Sequence, residues 1–442
     1  MERFKTKRVL IAGLGKSGKS ACRWLLNKGA SLFCFDDQQM NKEHDPEAKE
    51  LIGKGLKMVS IKSALEDSFD MMVVSPGFPR THAVYEKFIR ESKPVIGEME
   101  LAFCQLDKKA VGVTGTNGKT TVVSKIAHCL KDNGIKGEAL GNIGTPLLQA
   151  VERQGEIDVF VVEISSYQLE TLTTARLSSG CILNITPDHL DRYSSMEEYA
   201  LTKGLMGRVV VPEGRLYVEE KTLKSWGKWI DHPGTMAFGF SPECDVALVN
   251  GTIRRFGVTE IRLPDEFGRA APHDLENMLA SYALLRDLDL SAEDILRSFK
   301  AFKKPPHRIE FIREVQGVSF FDDSKGTNVD AVLKAVSSME GRVLLIAGGV
   351  DKGASYTLWI PHFQGKVVKI IAIGEAREKI KNELSTMFPV ELCSSLQEAV
   401  DTAFRSAKKG DSVLLSPGCS SFDMFRDYKH RGDEFKKIVL TL

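Results

Sequence analysis

The sequence has no excess of charge of either sign. Its 442 residues carry 60 Lys+Arg against 59 Asp+Glu, a formal net charge of +1. No global field draws such a chain to nucleic acid or to an acidic membrane, so an anionic partner must be held by local groups. Long apolar runs are missing as well. The opening MERFKTKRVLIAGLG offers only the run VLIAG, too short for a secretory leader, and nothing approaches the ~18 apolar residues of a membrane span. The eight cysteines include no CxxC pair, and Cys34, Cys129 and Cys181 lie in apolar segments. That argues against a disulfide framework or a structural zinc site and for a reducing, cytoplasmic setting.

What is present is a recurring pattern. A β-branched run ends in a Gly- or Ser-rich turn and a helical pattern follows, at Val9–Gly15, Met71–Gly77, Ala110–Gly118, Asp158–Ser166, Arg342–Gly349, Val367–Gly374 and Ser412–Gly418. Buried strands alternating with helices predict parallel sheets that bind ligands beyond the strands' carboxyl ends. Lys93-Pro94 and the helix-incompatible Lys303-Lys304-Pro305-Pro306 mark boundaries. Asp245–Val249, Asn250-Gly251 and Thr252–Phe256 read as a hairpin, and residues 210–265 as an antiparallel appendage. The expected fold is α/β with three domains. These are a Rossmann-like N-terminal domain (1–98), a central P-loop-type ATPase domain with a parallel sheet and the small appendage (99–305), and a Rossmann-like C-terminal domain (306–442).

Ala110–Thr121 reads AVGVTGTNGKTT. An apolar strand enters a loop with Gly115 and Gly118, and Lys119, Thr120 and Thr121 open a helix that stops near Gly134. Backbone N–H groups would cradle phosphates, Lys119 would reach the terminal ones, and Thr120 would ligate magnesium. The spacing is off by one, with Val113 where the strict pattern wants glycine and Gly112 before it. A plain Gly-rich turn is the rival reading. Downstream, Glu163 ends a buried-type strand, where a nucleotide's magnesium needs an anionic oxygen, although such an acid can also cap a helix. His189 and Asp191 follow a third strand, and His189 reads equally as a metal ligand or a core histidine. At the amino end, Gly13-Leu-Gly15-Lys-Ser-Gly18 follows a strand and Asp36 ends the next one. This fingerprint calls for a diphosphate and a ribose-like diol without requiring nicotinamide.

TGTNGKTT at 114–121, GNIGTP at 141–146, EISSYQLE at 163–170, NITPDHLDRY at 184–193, HRIE at 307–310, DDSKGTN at 322–328 and LLSPGCSSFDMF at 414–425 together resemble the Mur ligase family, in family order and over nearly the whole chain. Within it, DSKGTN and SPGCSSFD resemble the member that adds D-glutamate to UDP-N-acetylmuramoyl-L-alanine. The DY-A-H- and DNPR-type segments of the sister ligases are absent. The resemblance implies an ATP-dependent ligase of the cytoplasmic stage of peptidoglycan synthesis, working through an acyl phosphate and a tetrahedral intermediate. ATP, two Mg²⁺ ions and the two substrates are its implied ligands, with a monomer and no nucleic-acid or membrane partner.

By the same resemblance, Gly115, Thr116, Asn117, Gly118, Lys119, Thr120 and Thr121 hold ATP phosphates, and Asn277, Arg308 and Asp323 lie at the adenosine. Thr120, Glu163, His189 and a carbamylated Lys203 hold metal; by itself Lys203 reads as a solvated helix lysine. Lys325 and His307 lie at the reacting groups. Ser17, Asp36, Ser75, Gly77 and Asn142 contact the UDP-sugar, and Thr327, Lys352, Ser421 and Tyr428 the D-glutamate. Asp274, Tyr428 and Lys16 depart from residues common in the family. A sister ligase, a folylpolyglutamate synthetase, an NAD-dependent oxidoreductase and a non-catalytic nucleotide-binding regulator are the alternatives.

Overall fold

The apolar runs that end in glycine or serine become strands because each is covered on both faces by helices, and β-branched side chains fill that space well. The computed structural model describes residues 4–36 and 45–442. Its strands form three sheets.

The first contains β1 (Arg8–Ala12), β2 (Ser31–Phe35), β3 (Lys57–Met58), β4 (Met71–Val74) and β5 (Val95–Gly97). Their order is β3-β2-β1-β4-β5 and every pairing is parallel. The second comprises β6 (Lys109–Thr114), β7 (Gly137–Gly141), β8 (Val159–Glu163), β9 (Leu177–Ile182), β10 (Val210–Glu219), β11 (Thr235–Gly239), β12 (Val246–Val249), β13 (Thr252–Arg255) and β14 (Val258–Arg262). They run in the order β14-β13-β12-β11-β10-β9-β6-β8-β7. The third holds β15 (Glu310–Val315), β16 (Val318–Asp322), β17 (Val343–Gly348), β18 (Val367–Ile373), β19 (Val390–Leu392) and β20 (Ser412–Leu415). Here the order is β15-β16-β20-β17-β18-β19, parallel except for the antiparallel β15–β16 pair.

The chain groups into two compact units. One holds the first two sheets; the other holds the third sheet together with Thr186–Glu198, the loop that leaves β9. Among the described residues no helix is long and apolar enough to cross a membrane.

The hairpin at Asn250-Gly251 is present, with both residues at positive φ (49° and 73°) as a two-residue turn of this kind requires. The wider appendage needs correction. β10 pairs parallel with β9, β11 with β10 and β12 with β11, so residues 210–249 extend the central sheet. Within this sheet the antiparallel pairings are β12–β13 and β13–β14.

Within the first unit, Glu98 ties the two sheets together. It opens the helix Glu98–Phe103 and is almost wholly buried. Its carboxyl accepts from the Leu148 N–H (2.6 Å), at the start of the helix Leu147–Val151, and from the Ser20 hydroxyl (3.4 Å) on the helix Lys16–Asn27. Burial pushes this carboxyl up to about 7 against the downward pull of the two hydrogen bonds. Between the ordinary value of 4.5 and about 7 the folded chain therefore binds more protons than the unfolded one, and stability falls as pH rises through that window. Glu98→Gln keeps the acceptor oxygen and removes the charge. Relative to wild type it should gain roughly 2 kcal/mol between about pH 5.5 and about pH 8, measured by urea unfolding. A difference that does not change with pH would refute the assignment.

Candidate active site

At the carboxyl end of β6 the chain turns through Gly115 (φ 146°) and Gly118 (φ 89°) into the helix Lys119–Asp132. Both glycines are required by space. A Cβ at 118 would meet the Asn277 side-chain oxygen at 2.3 Å, and one at 115 the Leu183 Cβ at 2.9 Å. Gly112 explains the irregular motif spacing. It lies inside β6, where a Cβ would strike Leu177 at 2.4 Å and Met206 at 2.8 Å, so it is a packing glycine and plays no part in the loop. The loop is held by Asn184, whose side-chain oxygen accepts from the Asn117 N–H (2.7 Å) and whose amide donates to the Asn117 carbonyl (3.1 Å). Lys119 Nζ donates to the carbonyls of Gly115 (2.7 Å) and Thr116 (2.9 Å). Thr121 is buried on the following turn.

Glu163 ends β8, beside β6, and is 1% exposed. Thr120 Oγ1 donates to its Oε2 and Asn142 Nδ2 to its Oε1, both at 2.8 Å. Asn142, in the loop after β7, thus meets the carboxylate that ends β8. Lys203, also 1% exposed, is far from the solvated lysine its helix position suggests. Its Nζ donates to the Gly115 carbonyl (2.9 Å) and sits 4.8 Å from the centre of the Tyr199 ring, whose hydroxyl lies 3.2 Å from Thr116 Oγ1.

The other loops of this unit lie at the carboxyl ends of β1 and β4, where the first sheet's connections diverge. Leu14 N–H donates to Asp36 Oδ2 (2.6 Å) and Ser75 Oγ to the Gly13 carbonyl (2.8 Å). Gly18 lets its helix close on Gly13, since a Cβ there would meet the Gly13 oxygen at 2.1 Å. Ser17 is half-buried and Gly77 exposed on the same rim.

In the second unit, His189 adopts a positive φ of 57°. Its neighbour Asp188 accepts from Lys352 Nζ (3.0 Å), Asn328 Nδ2 (3.0 Å) and the His189 N–H (3.0 Å). Burial opposes ionisation of Asp188, yet Lys352, His189 and Asn328 together hold its carboxyl below the usual range. His307 Nδ1 is 2.6 Å from Asp322 Oδ2 and its ring meets Tyr428 edge-on, while Lys325 Nζ lies 4.1 Å from the centre of the Tyr428 ring. Asp323, beside Arg308, is buried and accepts from Ser416 Oγ (2.7 Å); burial pushes its carboxyl up to about 7. Thr327 and Ser421 lie in the loops after β16 and β20. Sequence reasoning did not mark Asn184, Asp188 or Asn328. The quoted segments NITPDHLDRY and DDSKGTN contain all three, so the signal was at hand.

A glycine loop, a lysine and a threonine at a helix start, facing a buried carboxylate on the next strand, define a phosphate-loop nucleotide-binding protein. The chain belongs to the Mur ligase family. Residues 7–97 match the MurD-like N-terminal domain of Mur ligases, 113–285 the Mur ligase middle domain and 307–419 the glutamate ligase domain. It is 44% identical to the UDP-N-acetylmuramoylalanine–D-glutamate ligase of Protochlamydia amoebophila over the full length of both chains. With the enzyme of the same name from Caldanaerobacter subterraneus the figure is 39%, over 99% of each chain. Among solved structures, the UDP-N-acetylmuramate–alanine ligase MurC of Thermotoga maritima matches with a TM-score of 0.59 and 14% identity, covering 98% of this chain and 99% of that one. The MurF ligase of the same organism, in complex with ADP, matches at 0.57 and 16%, covering 99% and 96%. These two likenesses concern the fold.

Asn184→Ala removes both hydrogen bonds to Asn117. At about 0.5–1.5 kcal/mol each, their loss should weaken ATP-analogue binding roughly tenfold in calorimetric titration. Unchanged affinity would mean that packing around Gly115 suffices to shape the loop.

Proposed function

We propose that this chain joins D-glutamate to UDP-N-acetylmuramoyl-L-alanine at the expense of ATP, in the cytoplasm, as a monomer and as a step of peptidoglycan synthesis. The observation that carries the reading is the buried Glu163 held by Thr120 beside the phosphate loop, in a chain 44% identical end to end to a ligase of that name. A nicotinamide enzyme would leave this loop and DDSKGTN without a role.

Joining a carboxylate to an amine in water is uphill, and a carboxylate is a poor electrophile. Transfer of the ATP γ-phosphoryl to the alanine carboxylate makes an acyl phosphate. The D-glutamate amine then attacks the acyl carbon, the N–C bond forms, the C–O bond to phosphate breaks, and the amine gives up a proton. The protein supplies orientation and charge neutralisation, worth up to ~7–11 kcal/mol for well-aligned groups. Lys119 and the N–H groups of residues 115–121 hold the phosphates, and Asn277, Arg308 and Asp323 the adenosine. Ser17, Asp36, Ser75, Gly77 and Asn142 seat the UDP-sugar. Lys325 and His307 are assigned to the reacting groups, and Thr327, Lys352, Ser421 and Tyr428 to the two carboxylates of the acceptor.

The donor chemistry suits Mg²⁺: a buried carboxylate with a threonine hydroxyl and an amide against it is an oxygen-rich, hard set. Thr120, Glu163, His189 and a carbamylated Lys203 would be the metal ligands; bound metal would neutralise phosphate charge.

Lys119→Ala should cut phosphate release at least about hundredfold while leaving the dissociation constant for the UDP-substrate within about twofold. A variant keeping half the wild-type rate would overturn the phosphate-loop assignment. In the wild type, release should require both UDP-N-acetylmuramoyl-L-alanine and D-glutamate, and a competition among D-glutamate, L-alanine, a diamino acid and a dipeptide should select the first.

A further inference from the structure

The helix Tyr428–Thr441 carries a guanidinium that the functional reading leaves without a task. Arg431 is 1% exposed. Its Nε donates to Ser324 Oγ (3.0 Å), Nη2 to the carbonyls of Ser324 (2.9 Å) and Cys419 (3.2 Å), and Nη1 more weakly to those of Ser420 (3.4 Å) and Gly348 (3.5 Å). Burial pulls its pKa down to about 10, so it stays charged at neutral pH.

These oxygens lie at the carboxyl ends of three strands: Ser324 in the connection leaving β16, Gly348 as the last residue of β17 before its connection, and Cys419 and Ser420 in the connection leaving β20. The same connections carry Lys325 and Thr327, then Lys352, then Ser421. Beyond the last ladder bond, loop carbonyls have no strand partner, and a planar fork of five N–H donors can serve several at once. A buried cation that bonds these neutral oxygens is expensive to keep. The loops are stitched elsewhere as well: Gly418 N–H donates to the Gly326 carbonyl (2.8 Å), and Val350 and Ser420 exchange backbone bonds (2.9 and 3.1 Å). Gly432 permits the close approach of the helix, since a Cβ there would meet His307 Nδ1 at 2.2 Å and Asp322 Oδ2 at 2.8 Å. Ser324 Oγ in turn donates to the Tyr428 carbonyl (2.8 Å), which fixes the start of this helix to the first loop.

We propose that Arg431 is a positioning residue of the acceptor site, holding in register the three loops whose side chains receive D-glutamate. The proposal rests on the acceptor residues named under the proposed function. It touches no substrate, so its signature is a change in KM for one substrate alone. Arg431→Lys keeps the charge and loses the fork, and should raise KM for D-glutamate about tenfold with KM for ATP and for the UDP-substrate within about twofold. Ser324→Ala removes one arm of the network and should shift the same constant by a smaller factor; it decides the matter if Arg431→Lys does not fold. Lys352→Ala is run in parallel. A raised KM for D-glutamate in Lys352→Ala with an unchanged one in the other two variants overturns the role of Arg431 alone, even if their kcat or melting temperature falls. An unchanged KM in all three overturns the acceptor site and the proposal with it.

Discussion

A carboxyl group buried where three loops converge is the constraint that organises the central sheet. Glu163 ends a strand flanked by β6 and β7, paired with Val113 on one side and Gly141 on the other. A buried carboxyl group in such a place must find hydrogen-bond partners. Thr120 supplies one from the loop after β6, and Asn142 another from the loop after β7. Gly141 is part of the same arrangement, since a Cβ there would lie 2.5 Å from the Glu163 carbonyl oxygen. Phosphate loop, carboxylate and the GNIGTP segment are therefore one unit, and a displacement of any of them disturbs the other two.

Each sheet meets the same difficulty at its carboxyl edge, where backbone groups leave the ladder and must find other partners. The solutions differ in chemistry. On the first sheet the loops touch directly, with Ser75 donating to Gly13 and Asp36 accepting from Leu14. On the second, a carboxylate gathers neutral donors. On the third, the charge is reversed and a guanidinium gathers carbonyls. The carboxylate and the guanidinium do the same work with opposite polarity, one collecting N–H and O–H donors and the other carbonyl oxygens.

What could be read from the sequence was local. Strands at β1, β4, β6, β8, β17, β18 and β20, the phosphate loop and the Asn250-Gly251 hairpin all depend on residues within one short window. Contacts across the sequence were hidden: Asn184 lies 67 residues from Asn117, Asp188 lies 164 from Lys352 and Arg431 lies 107 from Ser324. Nothing in a single chain's spacing predicts such partners; family segments marked the loops without saying which side chain holds which. The misread appendage has a specific cause. β10 contains Pro212, Glu213 and Gly214, which read as a turn, and the ladder with β9 is interrupted between Val210 and Arg215. A strand with such a break carries no periodic signal, although its second half, Leu216–Val218, is wholly buried.

Lys203 shows how a lysine that reads as solvated from its own helix can be part of a loop's support. Its ammonium is withdrawn from solvent and shares the Gly115 carbonyl with Lys119, so two cationic nitrogens converge on one oxygen. That carbonyl lies where β6 gives way to the loop, so the strand end, the loop lysine and the helix Met196–Gly204 meet at one backbone oxygen. Tyr199, one turn earlier on the same helix, lies under the Lys203 nitrogen and reaches Thr116 with its hydroxyl, so this helix braces the phosphate loop at two consecutive residues, 115 and 116.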